Sequence, residues 1–549
     1  IMSTSNINTF NPKYDVILGL PSGIQSFSTG FNQLGYVTKI ETQATCKDLT
    51  NSFRITLVPR DDTNGATLYD MIEPMVYCEI RMKRESKDYT TIMRGFVTTI
   101  SKSLDMSSGK PVRSIVISGE NYGKAIKNAV IHYVYALDPS QVFAASGTTS
   151  PLFFGYGIDI LQGNCTPSKI VTMVWNEVVT PTFQNILKTT TNRNQTQSNS
   201  SSANGSESND IISSVNIAAP FELDVDVDGV DGNRAAQGIG DDVASYSLRV
   251  VDPSIASTEM SVSDLFNEFT GKPFIEIFTD DAPDGTYLVF RPTPWRDRDR
   301  EWVGTTSFSG TGPTYTPLGS RSIDACAKGL PIFIDQSEIV NYNLGRSDQE
   351  VWNYIMVNAT NSGIGESFES QAMGQLTNLN PHFTVDTSSF TDTGVTLPQS
   401  TKLEYSRMEL FGFRKLLITS KLLSVDPKTI GSLEDTNAFY RSDFGSNITT
   451  SDMFKVGQQL AMTLFNAFEH NSQLEQGSMV IRGREDIRAG MFVAFWDERL
   501  DTMVHVFYVE EVHQNFTPME SWLTMLTLTR GEAHLDRMQD DPRYADYGY

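Results

Sequence analysis

The chain has 549 residues, too long for one hydrophobic core and enough for roughly three or four domains. Its 43 basic and 66 acidic residues leave a net charge of −23, which argues against a sequence-independent grip on DNA or RNA phosphates. No run approaches the ~18 apolar residues of a membrane span, and no basic-then-apolar leader is visible, so the expectation is a chain that folds in a cytoplasm.

Residues 1–34 mix Gly, Ser, Asn and Pro with isolated hydrophobes and read as an extended N-terminal arm. From Tyr36 the pattern turns to period two: YVTKIETQATC, SFRITLVP, MVYCEIRMKR, TIMRGFVTTISKS and VRSIVISGEN alternate apolar and polar residues. Turn residues separate these runs, at Asp61 to Gly65 and Ser107 to Pro111. Residues 35–122 are therefore expected to form a first small β-barrel.

Residues 123–332 read as a mixed α+β middle region. A short helix is expected over 123–137, and a second from Thr166, bent or ended by Pro181. An insertion over 190–244 follows, and its first part, 190–210, is nearly all Ser, Asn, Thr and Gln, too polar to offset ordering. Beyond it, SVSDLFNEFTGKPFIEIFTDD reads as a capped helix, a turn and a strand, and GTYLVFRPTPW as a further strand.

Residues 333–360 give two strands around a polar turn and, with 474–532, are assigned to a second small β-barrel. Residues 361–473 form a mixed and helical insertion between those parts. Within it TKLEYSRMELFGFRKLLITSKLL is expected to be mostly helical or mixed, and the clearest helix starts at Ser451 with an apolar stripe through Phe454, Leu460, Leu464, Phe465 and Phe468. Residues 533–549 make a polar tail. The fold class is thus mainly β (α+β), with two small barrels and α/β middle domains.

The closing module echoes the first. IEPMVYCEIRMKR (72–84) and IRAGMFVAFWDER (487–499) each place an Ile, a Pro or Gly corner, alternating apolar residues and then charge. TTIMRGFVTTISKS is followed by VRSIVISGEN as DTMVHVFYVEEVHQNF is followed by WLTMLTLTRGE. The order and the turn spacing agree while identity is low.

Several stretches resemble the baseplate hub proteins of tailed phages and related contractile injection machines. They are SEIVNYNLGRSDQEVWNYIMV, GSMVIRGREDIRAGMFVAF, YVEEVHQNF, WLTMLTLTRGE with its Arg530 to Glu532 ending, GKPFIEIFTDD with YLVFRPTPW, and FGFR at 411–414. Together they cover about half the chain in the family's order. The resemblance implies a homotrimer in which two tube-like barrels per chain make a pseudo-sixfold ring. That ring would continue the tail tube, hold the central spike protein, and meet the tape-measure protein and baseplate wedge components. It further implies a virion tail baseplate location after assembly in the host cytoplasm, a structural role, no specific nucleic-acid binding and no membrane span.

Motifs that carry chemistry are few, and no catalytic, cofactor-binding or metal-binding residue is assigned. Asp224, Asp226, Asp228 and Gly229 match the opening of an EF-hand loop, but Ala235 stands where the bidentate Glu belongs, so a solvated acidic turn accounts for them. GENYGKA from Gly119 has Ala125 where a phosphate loop needs Ser or Thr. His505 and His513 fall on strands, as do Glu510 and Glu511, whose side chains would alternate faces. Cys46, Cys78, Cys165 and Cys326 lie far apart with no C-x-x-C pair, which points to reduced thiols. The alternative reading is a β-rich carbohydrate-active tail protein, either a wall hydrolase or a receptor-binding component. Its sign would be an acidic pair in a cleft lined by Trp295, Trp302 or Trp352.

Overall fold

The computed structural model describes residues 12–60, 68–132, 171–187, 220–225, 259–269, 275–293, 305–316, 332–360, 382–385, 411–424, 474–495 and 505–533, apart from short gaps within them. The Ser/Asn-rich stretch 190–210, the helix expected from Ser451 and the tail after residue 533 lie outside the described residues.

The first module contains seven strands: β1 Lys13–Leu20, β2 Gly23–Ser28, β3 Gly35–Thr45, β4 Ser52–Pro59, β5 Tyr77–Lys83, β6 Thr90–Asp105 and β7 Val112–Asn121. They lie in the order β3-β4-β7-β6-β5-β1-β2, every neighbour antiparallel. Alternation sets which face turns inward: in β4, Phe53, Ile55 and Leu57 are buried while Ser52 and Arg54 face solvent. Residues 13–28, expected as an arm, form the hairpin β1–β2. Val16, Leu18, Leu20 and Phe27 supply an inward face to it, and β1 lies along β5. A short helix, α1 (Leu68–Met71), closes one end with Leu68.

The middle region begins with helix α2 (Lys124–Asn128), which stops far short of residue 137 because β8 (Val130–His132) starts at once. Residues 174–187 are helical, with a π turn over Trp175–Val179. Then come β9 (Phe221–Val225), β10 (Glu259–Ser261, paired with β8) and helix α3 (Val262–Phe269). The Asp264 N–H donates to Ser261 Oγ at 3.0 Å, the side-chain cap its sequence promises. Strands β11 (Ile275–Asp281) and β12 (Thr286–Pro292) form a tight hairpin, with β9 parallel to β12. Strands β13 (Thr305–Ser309) and β14 (Gly312–Thr316) pair, among the described residues, with each other alone.

The rest comprises β15 (Ile332–Ile334), β16 (Ile339–Arg346), β17 (Tyr354–Thr360), β18 (His382–Val385), β19 (Lys415–Ser424), β20 (Glu475–Arg482), β21 (Phe492–Phe495), β22 (His505–Thr517) and β23 (Ser521–Ala533). Here two expectations change. Strand β17 does not join the closing module; it pairs with β18 and β19 in a separate three-stranded sheet. Residues 415–424 are strand and not helix, because a short apolar run carries no period that separates the two.

Two closed barrels were expected. Instead, 13 of the described strands form one curled sheet, in which β16-β20-β23-β22 continues directly into β3. The cause is the pairing of β3 with β22, from Glu511 opposite Thr45 to Phe516 opposite Ile40, which joins the two modules edge to edge. A closed second barrel is not formed among the described residues: β16 ends the sheet. Two cores line this sheet, one per module.

Candidate functional site

The two modules share one plan. In the first, Ile40, Ile55, Ile117 and Ile100 sit opposite one another across β3, β4, β7 and β6. In the second, Tyr342, Met479, Leu526 and Val512 make the same row across β16, β20, β23 and β22. Strand β5 then lies on the first half of β6, as β21 lies on the first half of β22. Each long strand carries a bulge at the same place, between Val97 and Thr99 in β6 and between Val509 and Glu511 in β22.

The corners agree to the hydrogen bond. Met75 N–H donates to the Val97 carbonyl (2.8 Å) and Val97 N–H to the Val76 carbonyl (2.9 Å). In the second module Gly490 N–H donates to the Val509 carbonyl (2.8 Å) and Val509 N–H to the Met491 carbonyl (2.9 Å). Met75 and Gly490 both have a positive φ, 67° and 84°. That conformation is natural for Gly and unusual for Met. The sequence echo is therefore a structural repeat over 72–80 and 487–495.

The junction of the modules exchanges core residues. Phe516 and Trp522, from the closing strands, are buried in the first module's core, and Phe516 packs on Tyr14 with ring centroids 5.4 Å apart. Cys46, at the end of β3, is buried in the second core. Its N–H donates to the Glu510 carbonyl at 3.0 Å. Glu510 also meets Lys47 at 2.8 Å, and Gln43 donates to Glu511. Gln514 is buried at the seam, donating to the Arg484 carbonyl (2.8 Å) and accepting from the Trp522 indole (2.9 Å). Arg484, from the turn after β20, reaches the Phe333 carbonyl and Glu338, each at 3.0 Å.

The β11–β12 hairpin fastens to both modules at this seam. On the first-module side Asn51 donates to the Thr279 carbonyl (2.9 Å) and Asn121 to Thr279 Oγ1 (2.7 Å) and Asp281 (3.1 Å). Arg94 donates to the carbonyls of Ala282 (2.7 Å) and Pro283 (2.6 Å). On the second-module side Arg488 meets Asp280 at 2.6 Å. Arg291, 0% exposed, bonds Glu276 through Nε and donates to the Gly490 carbonyl (3.0 Å) and Tyr508 (3.2 Å). Tyr508 in turn donates to Glu276 at 2.9 Å. A buried charge is tolerated only when paired and bonded in this way.

The electrostatics follow. Burial disfavours the Arg291 charge, but Glu276 together with Tyr508 and Cys46 more than offsets it, so its affinity for the proton rises. Burial pushes Asp280 up, with Arg488 opposing, and pushes Asp281 up to about 6 against its bonds from Thr286 and Asn121. Glu79 goes the other way. Burial would raise it, but hydrogen bonds from Arg81 and the charges of Arg94 and Arg81 hold it below the ordinary carboxylate value. Burial also pushes up the Cys46 and Cys78 thiols, leaving them unreactive. What this arrangement does chemically is to lock: the buried carboxylates Glu79, Asp280 and Asp281 and the half-buried Glu276 are each held by a donor on another residue.

The sequence candidates disperse. Asp224 lies on β9, while Asp226, Asp228, Gly229 and Ala235 fall outside the described residues. Gly119 sits within β7, followed by the short α2, so no phosphate loop is formed there. His505 meets Glu475 at 3.1 Å and stacks on Phe507; His513 lies opposite Met525. Trp352 is half-buried, and Trp295, Trp302, Cys165 and Cys326 lie outside the described residues. Among the described residues no group of three or more His, Cys, Asp or Glu is placed to hold a metal, and no helix is long and apolar enough to cross a membrane. Sequence reading missed Glu79, Arg94, Glu276 and Arg291. For Arg291 the available signal was a charge on the same strand face as Tyr287 and Val289 in YLVFRP, whereas Glu79 lies on the face opposite Cys78, Ile80 and Met82 and carries no such signal.

No family model and no curated protein matches the chain. Among solved structures it is similar to the 43 kDa tail protein of prophage MuSo2 from Shewanella oneidensis, at 10% identity, over 94% of this chain and 98% of that one, with a TM-score of 0.40. A tail protein from Neisseria meningitidis MC58 matches at 10% identity, over 94% and 96%, with a TM-score of 0.41. The E. coli c3393 protein, a component of the type VI secretion system, matches at 6%, over 93% and 76%, with a TM-score of 0.34. Likenesses of this size do not define the present fold, which rests on its own strand register.

Proposed function

We propose that this chain is the structural hub of a phage-tail or related baseplate. Three copies would arrange six equivalent β-modules in a ring that continues a sixfold tail tube on one face. The other face receives the threefold central spike protein, with the tape-measure protein and baseplate wedge components as further neighbours. The protein acts as adaptor and channel wall, in the virion tail, and performs no bond chemistry. The observation that carries this reading is the repeated row of strands: one chain holds the same module twice, side by side in one sheet, so three chains supply sixfold-like contacts from a threefold object. The family resemblance of the sequence implies the number three.

The test is electron microscopy of the purified chain, alone and mixed with tail tube protein. Six-lobed rings with true threefold symmetry that stack on tube ends are expected. Particles without rings, and no binding to tube, would overturn the proposal.

A further inference from the structure

Among the one-sided strand edges of the described residues, two belong to the repeated row itself. Strand β16 ends the sheet with β20 on one side only. Strand β6 is covered by β5 from Thr90 to Phe96, and beyond that it has β7 on one side only. Open edges of this length invite another strand, and folded proteins cover or blunt them. Here the edges carry exposed apolar side chains: Leu104 and Met106 on or just after β6, and Val340 on β16.

By the repeat, these two edges correspond to the pair already joined within the chain. Strand β16 occupies the place of β3, and β6 that of β22. The burial at equivalent positions differs in the way a missing partner would produce. Phe516 of β22 is 1% exposed because β3 and the first core cover it, whereas Leu104 at the same place in β6 is 60% exposed. Ile40 of β3 is fully buried, whereas Tyr342 at the same place in β16 is half-buried at the margin of the second core, beside Ile339 and Leu344.

We infer that β16 of one copy adds antiparallel to the second half of β6 in the next copy, repeating between chains the β3–β22 joint seen within the chain. This rests on the ring proposed above and names its joint. Carrying the register across places Thr99 opposite Ser347, Lys102 opposite Leu344 and Leu104 opposite Tyr342. Leu104 then enters the neighbour's second core as Phe516 enters the first. The contact is heterologous, one edge meeting a different edge, so it closes a ring in which both of these edges are paired when the rotations complete a circle.

The experiment joins the two strands by engineered disulfides. Thr99→Cys with Ser347→Cys tests one end of the joint, and Leu104→Cys with Tyr342→Cys the other. The first pair alters exposed or half-exposed polar positions and spares the cores. Mild oxidation and a non-reducing denaturing gel are expected to show covalent ladders ending at three chains for both pairs. Leu104→Cys with Asn343→Cys, one residue out of register and so on opposite faces, should give none. Leu104→Arg should leave the folded chain's circular dichroism spectrum unchanged, since the side chain is exposed in the single chain, and reduce the mass to one chain. A wild-type trimer with neither pair cross-linking and with Leu104→Arg still trimeric would overturn the joint and leave the ring standing. A wild-type chain that stays monomeric at every concentration would overturn the ring, and the joint with it.

Discussion

Charged side chains set the rules at the junction. Glu79 has 1% of its side chain exposed and meets Arg81 at 2.8 Å and Arg94 at 3.4 Å, with Thr91 donating at 2.9 Å. Glu79→Gln leaves Arg94 buried with its partner neutralised and is expected to cost about 3–5 kcal/mol in denaturant unfolding. The pH dependence has two opposite parts. Glu79, depressed below the ordinary 4.5, contributes stability present above that value and lost as pH falls through its lower folded value. Asp281, raised from 3.8 to about 6, is penalised in the fold when ionised, so its penalty grows as pH rises between those values. Wild type should therefore lose up to about 3 kcal/mol relative to Asp281→Asn across that window, measured by unfolding at a series of pH values. A parallel pH course for the two proteins would contradict this assignment. These residues were not legible in the sequence. An inward Glu or Arg in a strand looks like any surface charge until its partner, more than a hundred residues away for Arg94 and the 282–283 carbonyls, is known.

Corners and strand pairs decide the next level. Gly490 sits at φ 84°, and a Cβ there would lie 2.8 Å from Phe278 and 2.9 Å from Arg291. Gly490→Val combines a strained backbone with a clash and should cost about 2 kcal/mol or more in thermal unfolding. Its counterpart Met75 already bears a side chain at φ 67°, so Met75→Gly should shift stability by no more than about 1 kcal/mol. Equal effects of the two substitutions would contradict the strain and clash assigned to position 490. This level was the most legible. The corner and the three strands after it were visible as an echo, because alternation and turn chemistry are local. The correspondence of β16 with β3 and of β20 with β4 was not, since only pairing partners reveal it. The hairpin β1–β2 was hidden by its Gly- and Ser-rich setting, and 415–424 by an apolar run without a diagnostic period.

For the whole molecule, alternation predicts that strands exist but not which edge meets which. Two modules with open edges can each close alone or join, and the sequence suggested the first. The structure joins them through β3 and β22, trading Phe516, Trp522 and Cys46 between cores, and bolts the seam with the β11–β12 hairpin. The same logic leaves β16 and β6 as the surfaces for assembly. The direct test is the solution mass of the purified chain by light scattering across a concentration series. The account predicts a species of three times 61.1 kDa. A mass of one chain at every concentration would contradict it.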